Sequence, residues 1–188
     1  GFYYRNYADK LPQTFLTQVA PGNSRYNLIY ADDIDLFGVS LAKNIGGVSL
    51  GAEFSYRRNT PLNSTVLGIA PGLPSDGETK GPRGDTLHAL VNTLGVIPQT
   101  PVFDAATWAG ELTWAHYTKV RSGANLFYAE GYAPCSTTGR DKWDGCTTKD
   151  FIGLALAFTP TWYQVFPGVD LSAPLTYAIG LSGNAPVI

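Results

Sequence analysis

The sequence runs to 188 residues, 44% hydrophobic and 13% aromatic, with only 15% charged residues against roughly 25% in an average soluble domain. That aromatic content excludes a disordered chain, and a formal net charge of -2 with no basic run leaves no electrostatic footprint for nucleic acid or an anionic membrane surface. With 21 Gly and 13 Pro spread along the chain and no apolar run longer than Phe151 to Phe158, coiled coils and membrane-spanning helices, which need roughly 20 apolar residues, are excluded too, leaving strands punctuated by turns.

In chain order, the first expected strand is Gly1 to Ala8, aromatic on both faces. Ile34 to Lys43 follows, with Phe37, Val39 and Leu41 opposite Leu36, Gly38, Ser40 and Ala42. Val48 to Arg57 alternates cleanly, with Val48, Leu50, Ala52, Phe54 and Tyr56 on one face and Ser49, Gly51, Glu53, Ser55 and Arg57 on the other. Asp85 to Gly95 is ambiguous: Leu87, Leu90, Val91 and Leu94 fit helical spacing between an Asp N-cap and a terminal Gly, whereas a strand leaves Leu90 on the polar side. Thr107 to Tyr117 sets Trp108, Gly110, Leu112 and Trp114 against Thr107, Ala109, Glu111, Thr113 and Ala115. Phe151 to Thr159 places Ile152, Leu154, Leu156 and Phe158 opposite small residues, and Leu171 to Ser182 alternates without exception.

Connection lengths decide the ambiguous segment. Segments 44–47, 96–103 and 164–169 are short, while those at about 9–33, 58–85 and 119–150 are long. If Asp85 to Gly95 is a strand, long and short connections alternate strictly, as in an outer-membrane barrel with tight periplasmic turns and long outer loops. A helix there would break this parity, so the strand reading is preferred over the local signal. The expected fold is therefore all-β: an antiparallel up-and-down transmembrane β-barrel in a single domain, with about seven strands of a larger barrel. The missing initiator Met, the ending GLSGNAPVI and the odd strand count point to part of a longer chain.

Alternation alone also suits a secreted soluble β-sandwich, such as a lectin-like or adhesin-like binding module. Three features favour the bilayer. The less greasy face of the cleanest strands carries Ser, Gly, Thr and Ala rather than the mixed charges of a sheet facing bulk water. Strands of about nine to twelve residues match a tilted transmembrane strand. Tyr56, Trp162, Tyr163 and Phe166 stand near strand ends, where an interfacial aromatic girdle is expected.

Candidate sites are few. Glu53 and Glu111 occupy equivalent polar-face positions in GAEFSYR and GELTWAH, and with Arg57 and His116 are the candidate lumen-lining residues. They would either select by charge at a constriction or satisfy one another, since an isolated buried carboxylate is costly. No HExxH, CxxC or GxSxG motif accompanies His88 or His116, and Ser182 in GLSGN lacks the strand–turn–helix setting of a nucleophile. No enzyme, catalytic residue, metal or cofactor is expected. Asp32, Asp33 and Asp35, and Asp141, Asp144 and Asp150, lack EF-hand spacing and read as solvated loop charges. Cys135 and Cys146 suit one local disulfide and an oxidising compartment.

Several segments carry a resemblance: GFYYRNYADKLP, DLFGVSL with GAEFSYRRNTPL, GDTLHALVNTLG, GELTWAH, GRDKWDGCTTKD and PTWYQVFPGVDLSAPLTYAIGLSGNAPV. Together they are similar to a large uncharacterised family of Gram-negative outer-membrane β-barrel proteins, catalogued only as a domain of unknown function. The Trp-Tyr-Gln-Val-Phe-Pro-Gly-Val-Asp run at 162–170 is the most specific part. The resemblance implies an outer-membrane conduit or uptake component for small apolar or amphipathic molecules, in contact with outer-membrane lipid and lipopolysaccharide and working beside a periplasmic lipid-carrier-like protein, with no nucleic acid partner. It implies no catalytic residue.

Overall fold

Period-two alternation gives strands in every segment where it was read. The computed structural model describes residues 1–20, 23–64, 67–69, 81–129, 131–136 and 143–187. In chain order these residues form β1 (Phe2–Tyr7), β2 (Gln13–Ala20), β3 (Asn23–Ile29), β4 (Ile34–Ile45), β5 (Val48–Pro61), β6 (Leu67–Ile69), β7 (Arg83–Ile97), β8 (Ala105–Ser122), the single-turn helix α1 (Ala133–Ser136), β9 (Asp150–Phe166), β10 (Val169–Ser172) and β11 (Leu175–Ser182). One antiparallel sheet runs β1-β4-β5-β7-β8-β9 and ends on β10 and β11, which both pair with β9. The seven expected strands thus become seven positions across one sheet. That sheet is open: among the described residues β1 stands at one edge, β10 and β11 at the other, and no ladder joins them.

The segment with the helical signal is β7, and tertiary pairing explains why. It is hydrogen-bonded on both sides, Leu90 lying between Glu53 of β5 and Thr113 of β8, so two full ladders outweigh local spacing. The tight connections all fall at one end of the sheet. Gly46 and Gly47 turn β4 into β5 with φ of 59° and 85°, the two left-handed positions of a hairpin turn that follows strand twist. Gly168, at φ 77°, does the same between β9 and β10.

Two expectations need correction. Leu171 to Ser182 is not one strand: Pro174 has no N–H to give the ladder, and the pairing with β9 stops at Ser172 and resumes at Leu175. Nor are the long connections plain loops. The first carries β2 and β3 and the second β6, which form a separate sheet in the order β3-β2-β6, with β2 and β6 parallel. The third carries α1 and the disulfide Cys135–Cys146, whose Cα atoms are 5.8 Å apart and whose residues are both buried. A loop of that size closed by a disulfide gains about 3 kcal/mol on the entropic account.

The compact core lies at this loop end, outside the main span of the sheet. Leu62, Tyr117, Phe127 and Ala129 pack together with Val120 and Val187. The segment after β11 ties the loops down: Asn63 N–H donates to Pro186 O at 2.8 Å, and Asn184 Nδ2 to Cys146 O at 2.9 Å. Most large apolar side chains of the sheet are in none of this. Leu41 is 70% exposed, Leu175 60% and Val91 54%.

Candidate functional site

The register sorts the sheet into two unlike faces. On one face, successive rows read Phe2–Val39–Phe54–Ala89–Trp114–Ile152, then Leu41–Ala52–Val91–Leu112–Leu154–Ile179, then Lys43–Leu50–Thr93–Gly110–Leu156–Tyr177. Lys43 is the one charge in these rows, two residues before the β4–β5 turn, where its stem can carry the ammonium past the apolar zone. Among the described residues this face is left largely uncovered: Phe37, Leu41, Leu50, Phe54, Val91, Leu112 and Leu156 all remain at least 40% exposed. An apolar patch across six strands far exceeds what a soluble monomer leaves bare.

The other face carries Glu53, Arg57 and Glu111, together with small residues. Glu53 lies level with Ser40 and Leu90. The Tyr3 ring lies where a side chain at Gly38 would have to go, so Gly38 is fixed by this close approach. Glu111 lies level with Asn92, and Asn92 with Gly51, two residues along from Glu53 and two strand spacings, about 10 Å, across. The two carboxylates therefore share a face without touching. Arg57 is in the row of Arg5, Leu36 and Thr86.

His116 is placed differently from the expectation. It has the parity of Leu112 and Trp114, so it belongs to the apolar face, at its loop-side end, and not beside Glu111. Its Nδ1 is 2.8 Å from Asp150 Oδ1, and its ring stacks on Trp114 with centroids 5.7 Å apart. The histidine of the polar face is His88, level with Ser55 and Ala115, its Nε2 2.9 Å from Thr86 Oγ1.

At the loop-side limit of the apolar face, above the rows just described, three carboxylates collect the polar tips of aromatic side chains. Asp35 accepts from Tyr4 Oη at 2.9 Å and Asn6 Nδ2 at 3.1 Å, with Arg58 at 3.9 Å. Asp85 accepts from Tyr56 Oη at 2.9 Å, from the Asn59 N–H at 3.0 Å and from both Nε and Nη2 of Arg121. Asp150 accepts from Trp114 Nε1 at 2.9 Å as well as from His116. The Tyr4, Phe37 and Tyr56 rings run side by side across β1, β4 and β5, with centroids 4.8 and 6.5 Å apart. Each carboxyl is held below its ordinary value. For Asp35 the Asn6 and Tyr4 hydrogen bonds do this, and for Asp150 the His116 hydrogen bond leads. Burial alone would raise Asp85, but Arg121, the Asn59 N–H and Tyr56 together outweigh it.

Tyr56 thus marks the loop-side limit, and the other three aromatics stand at the opposite, tight-turn end. Trp162 Nε1 donates to Val102 O at 2.5 Å, Tyr163 N–H donates to Asp104 Oδ2 at 2.8 Å, and Phe166 is 69% exposed. The sequence reading missed the carboxylates as a set. Of the ADDID acids, Asp32 and Asp33 engage through their carbonyls, with Arg83 and Asn59, while Asp35 holds Tyr4. Asp141 lies outside the described residues, and among those described no three His, Cys, Asp or Glu side chains gather as a metal site.

A cavity of about 490 Å³ opens at the loop-side end of the polar face, between β1, β4, β5 and the segment entering β2. No curated protein and no solved structure matches the chain. The model of a family described as "Protein of unknown function (DUF1302)" matches residues 1–188, the full length given, and the chain belongs to that family.

Proposed function

We propose that this sheet is part of a β-barrel in the outer membrane of a Gram-negative bacterium, acting as a conduit or uptake component for small apolar or amphipathic molecules. The carrying observation is the uncovered apolar face, bounded on the loop side by Tyr56, Trp114 and their carboxylates and on the turn side by Trp162 and Phe166. The rows from Tyr4–Phe37–Tyr56 to Trp108–Phe158–Leu175 take in nine residues along a strand, a rise of about 27 Å, which suits a tilted transmembrane strand. Lipid and lipopolysaccharide would cover this face, and the small and polar residues of the other would line the lumen. Closure requires partners for the edges at β1 and at β10 and β11, so these seven positions belong to a barrel with more strands. A periplasmic lipid-carrier-like protein would meet the tight-turn end. The reading assigns no enzymatic step.

The test is a semi-native gel of the protein from washed membranes, boiled and unboiled, followed by planar-bilayer recording. A heat-dependent mobility shift is expected, and Glu53→Gln should keep that shift while lowering cation preference. Full recovery in a detergent-free supernatant without a shift would overturn the barrel in favour of a secreted binding module.

A further inference from the structure

We propose that the cavity at the loop-side end of the polar face binds the carboxylate head of a medium-chain amphipathic acid, an inference that rests on the conduit reading and names a substrate class for it. Its charge is one-sided. Arg5, Lys10 and Arg57 line it against a single carboxylate, Asp9, and no ion pair within 4.0 Å among the described residues involves any of the three cations. Asp9 is engaged by its own turn, accepting the Leu11 N–H at 3.0 Å. Arg5 is steadied over the Tyr7 ring, 5.8 Å from its centroid.

Two buried donors of residues in this wall, the Gln13 amide nitrogen and the Arg57 Nε, have no hydrogen-bond partner. An unmet buried donor costs about 1–3 kcal/mol, which a small shift of either side chain toward an anionic guest recovers. Guanidinium and amide N–H groups match a carboxylate in geometry and charge. The remaining wall is apolar, with Leu11, Pro12, Leu36, Leu62 and Val187. The volume falls in the range of about 300–1,000 Å³ usual for small-molecule sites, enough for an alkyl body beside the head. A singly charged head loses less hydration on entering such a wall than a dianion does.

The test is displacement of a dansyl-labelled medium-chain carboxylate from the full chain in neutral detergent, with dodecanoate, dodecanol and acetate as competitors. Dodecanoate should displace the probe, with dodecanol and acetate each at least about tenfold weaker, a step of 1.4 kcal/mol. Arg57→Gln and Lys10→Gln should each weaken dodecanoate about fivefold to tenfold and leave dodecanol unchanged. Lys10 is exposed and outside every strand, so its variant reports even if Arg57→Gln fails to assemble. Equal displacement by dodecanoate and dodecanol, or a Lys10→Gln protein with unchanged head-group preference, overturns the site. The heat-dependent gel shift on the same samples separates the two failures: a shift without head-group preference removes the site and leaves the barrel, whereas preference without a shift keeps the site and removes the conduit.

Discussion

Leu112→Arg is expected to abolish assembly into the membrane, while Thr113→Arg, one residue on, assembles. Leu112 is central in the row Leu41–Ala52–Val91–Leu112–Leu154–Ile179, where the proposed bilayer midplane lies. A guanidinium there costs about 2–4 kcal/mol on a barrel's lipid face and has no rim near enough for its head to reach. Thr113 points to the opposite face, which lines the lumen in the proposed barrel, so an added charge there is tolerated. Assembly is read by the heat-dependent gel shift and by protection from protease added outside. If both variants assemble equally, or Thr113→Arg alone fails, the lipid-facing assignment is wrong. Leu50→Arg, on the same face one row away, should behave like Leu112→Arg to a smaller extent, and Leu175→Arg, two rows away beside Phe158, to a smaller extent again.

Asp85→Ala is expected to cost about 2–3 kcal/mol of stability, the largest loss among the rim carboxylates. Asp85 is 3% exposed and accepts four hydrogen bonds, two from Arg121, one from Tyr56 and one from the Asn59 N–H. Removing one partner of a buried pair leaves the other charge uncompensated, which typically costs 3–5 kcal/mol. Arg121 keeps about a third of its side-chain surface in solvent, which lowers that figure. The measurement is the urea midpoint of the reconstituted protein followed by tryptophan emission. Its pH dependence carries a sign. Asp35, Asp85 and Asp150 all sit below the ordinary carboxylate value of 3.8 when folded. Their contribution is therefore complete above that value and is lost as pH falls through the lower folded-state values. Below about pH 4 wild-type stability should drop as these three carboxylates take up protons, and Asp85→Ala should show a shallower drop over that range. An unchanged profile in the variant would mean that Asp85 does not titrate with folding.

Much of this fold was legible because alternation is a local property. Parity alone puts Leu50 with Phe54 and Leu112 with Trp114, and the rhythm of short and long connections was enough to make Asp85 to Gly95 a strand against its helical spacing. The same parity, applied without exception, would have put His116 with Trp114. Its grouping with Glu111 as lumen-lining fails because residues an odd number of positions apart on a strand face opposite ways. The break at Pro174 was also visible in principle, since proline cannot donate to a central ladder. The carboxylate clusters were not legible. Asp85 meets Arg121 and Tyr56 only through the shifts in register beside Asp85 and after Arg57, and no local pattern encodes such shifts. The seat of Tyr3 over Gly38 likewise depends on which residues face across β1 and β4.

The parallel pairing of β2 with β6 has a consequence for the order of folding. Every ladder of the main sheet up to β9 can zip from a neighbour already in place, but β2 and β6 lie on opposite sides of the β4–β5 hairpin in sequence, with Phe15 beside Leu67. Before that hairpin exists, bringing them together means closing a long flexible loop; afterwards the hairpin has already paid most of that entropy. The small sheet is thus expected to form late. Pulsed hydrogen exchange during refolding should protect Phe54 and Ala89 before Leu16 and Gly68, and the reverse order would rule this sequence out. A small sheet that forms last leaves the main strands free to find their places before it ties the first two long connections together.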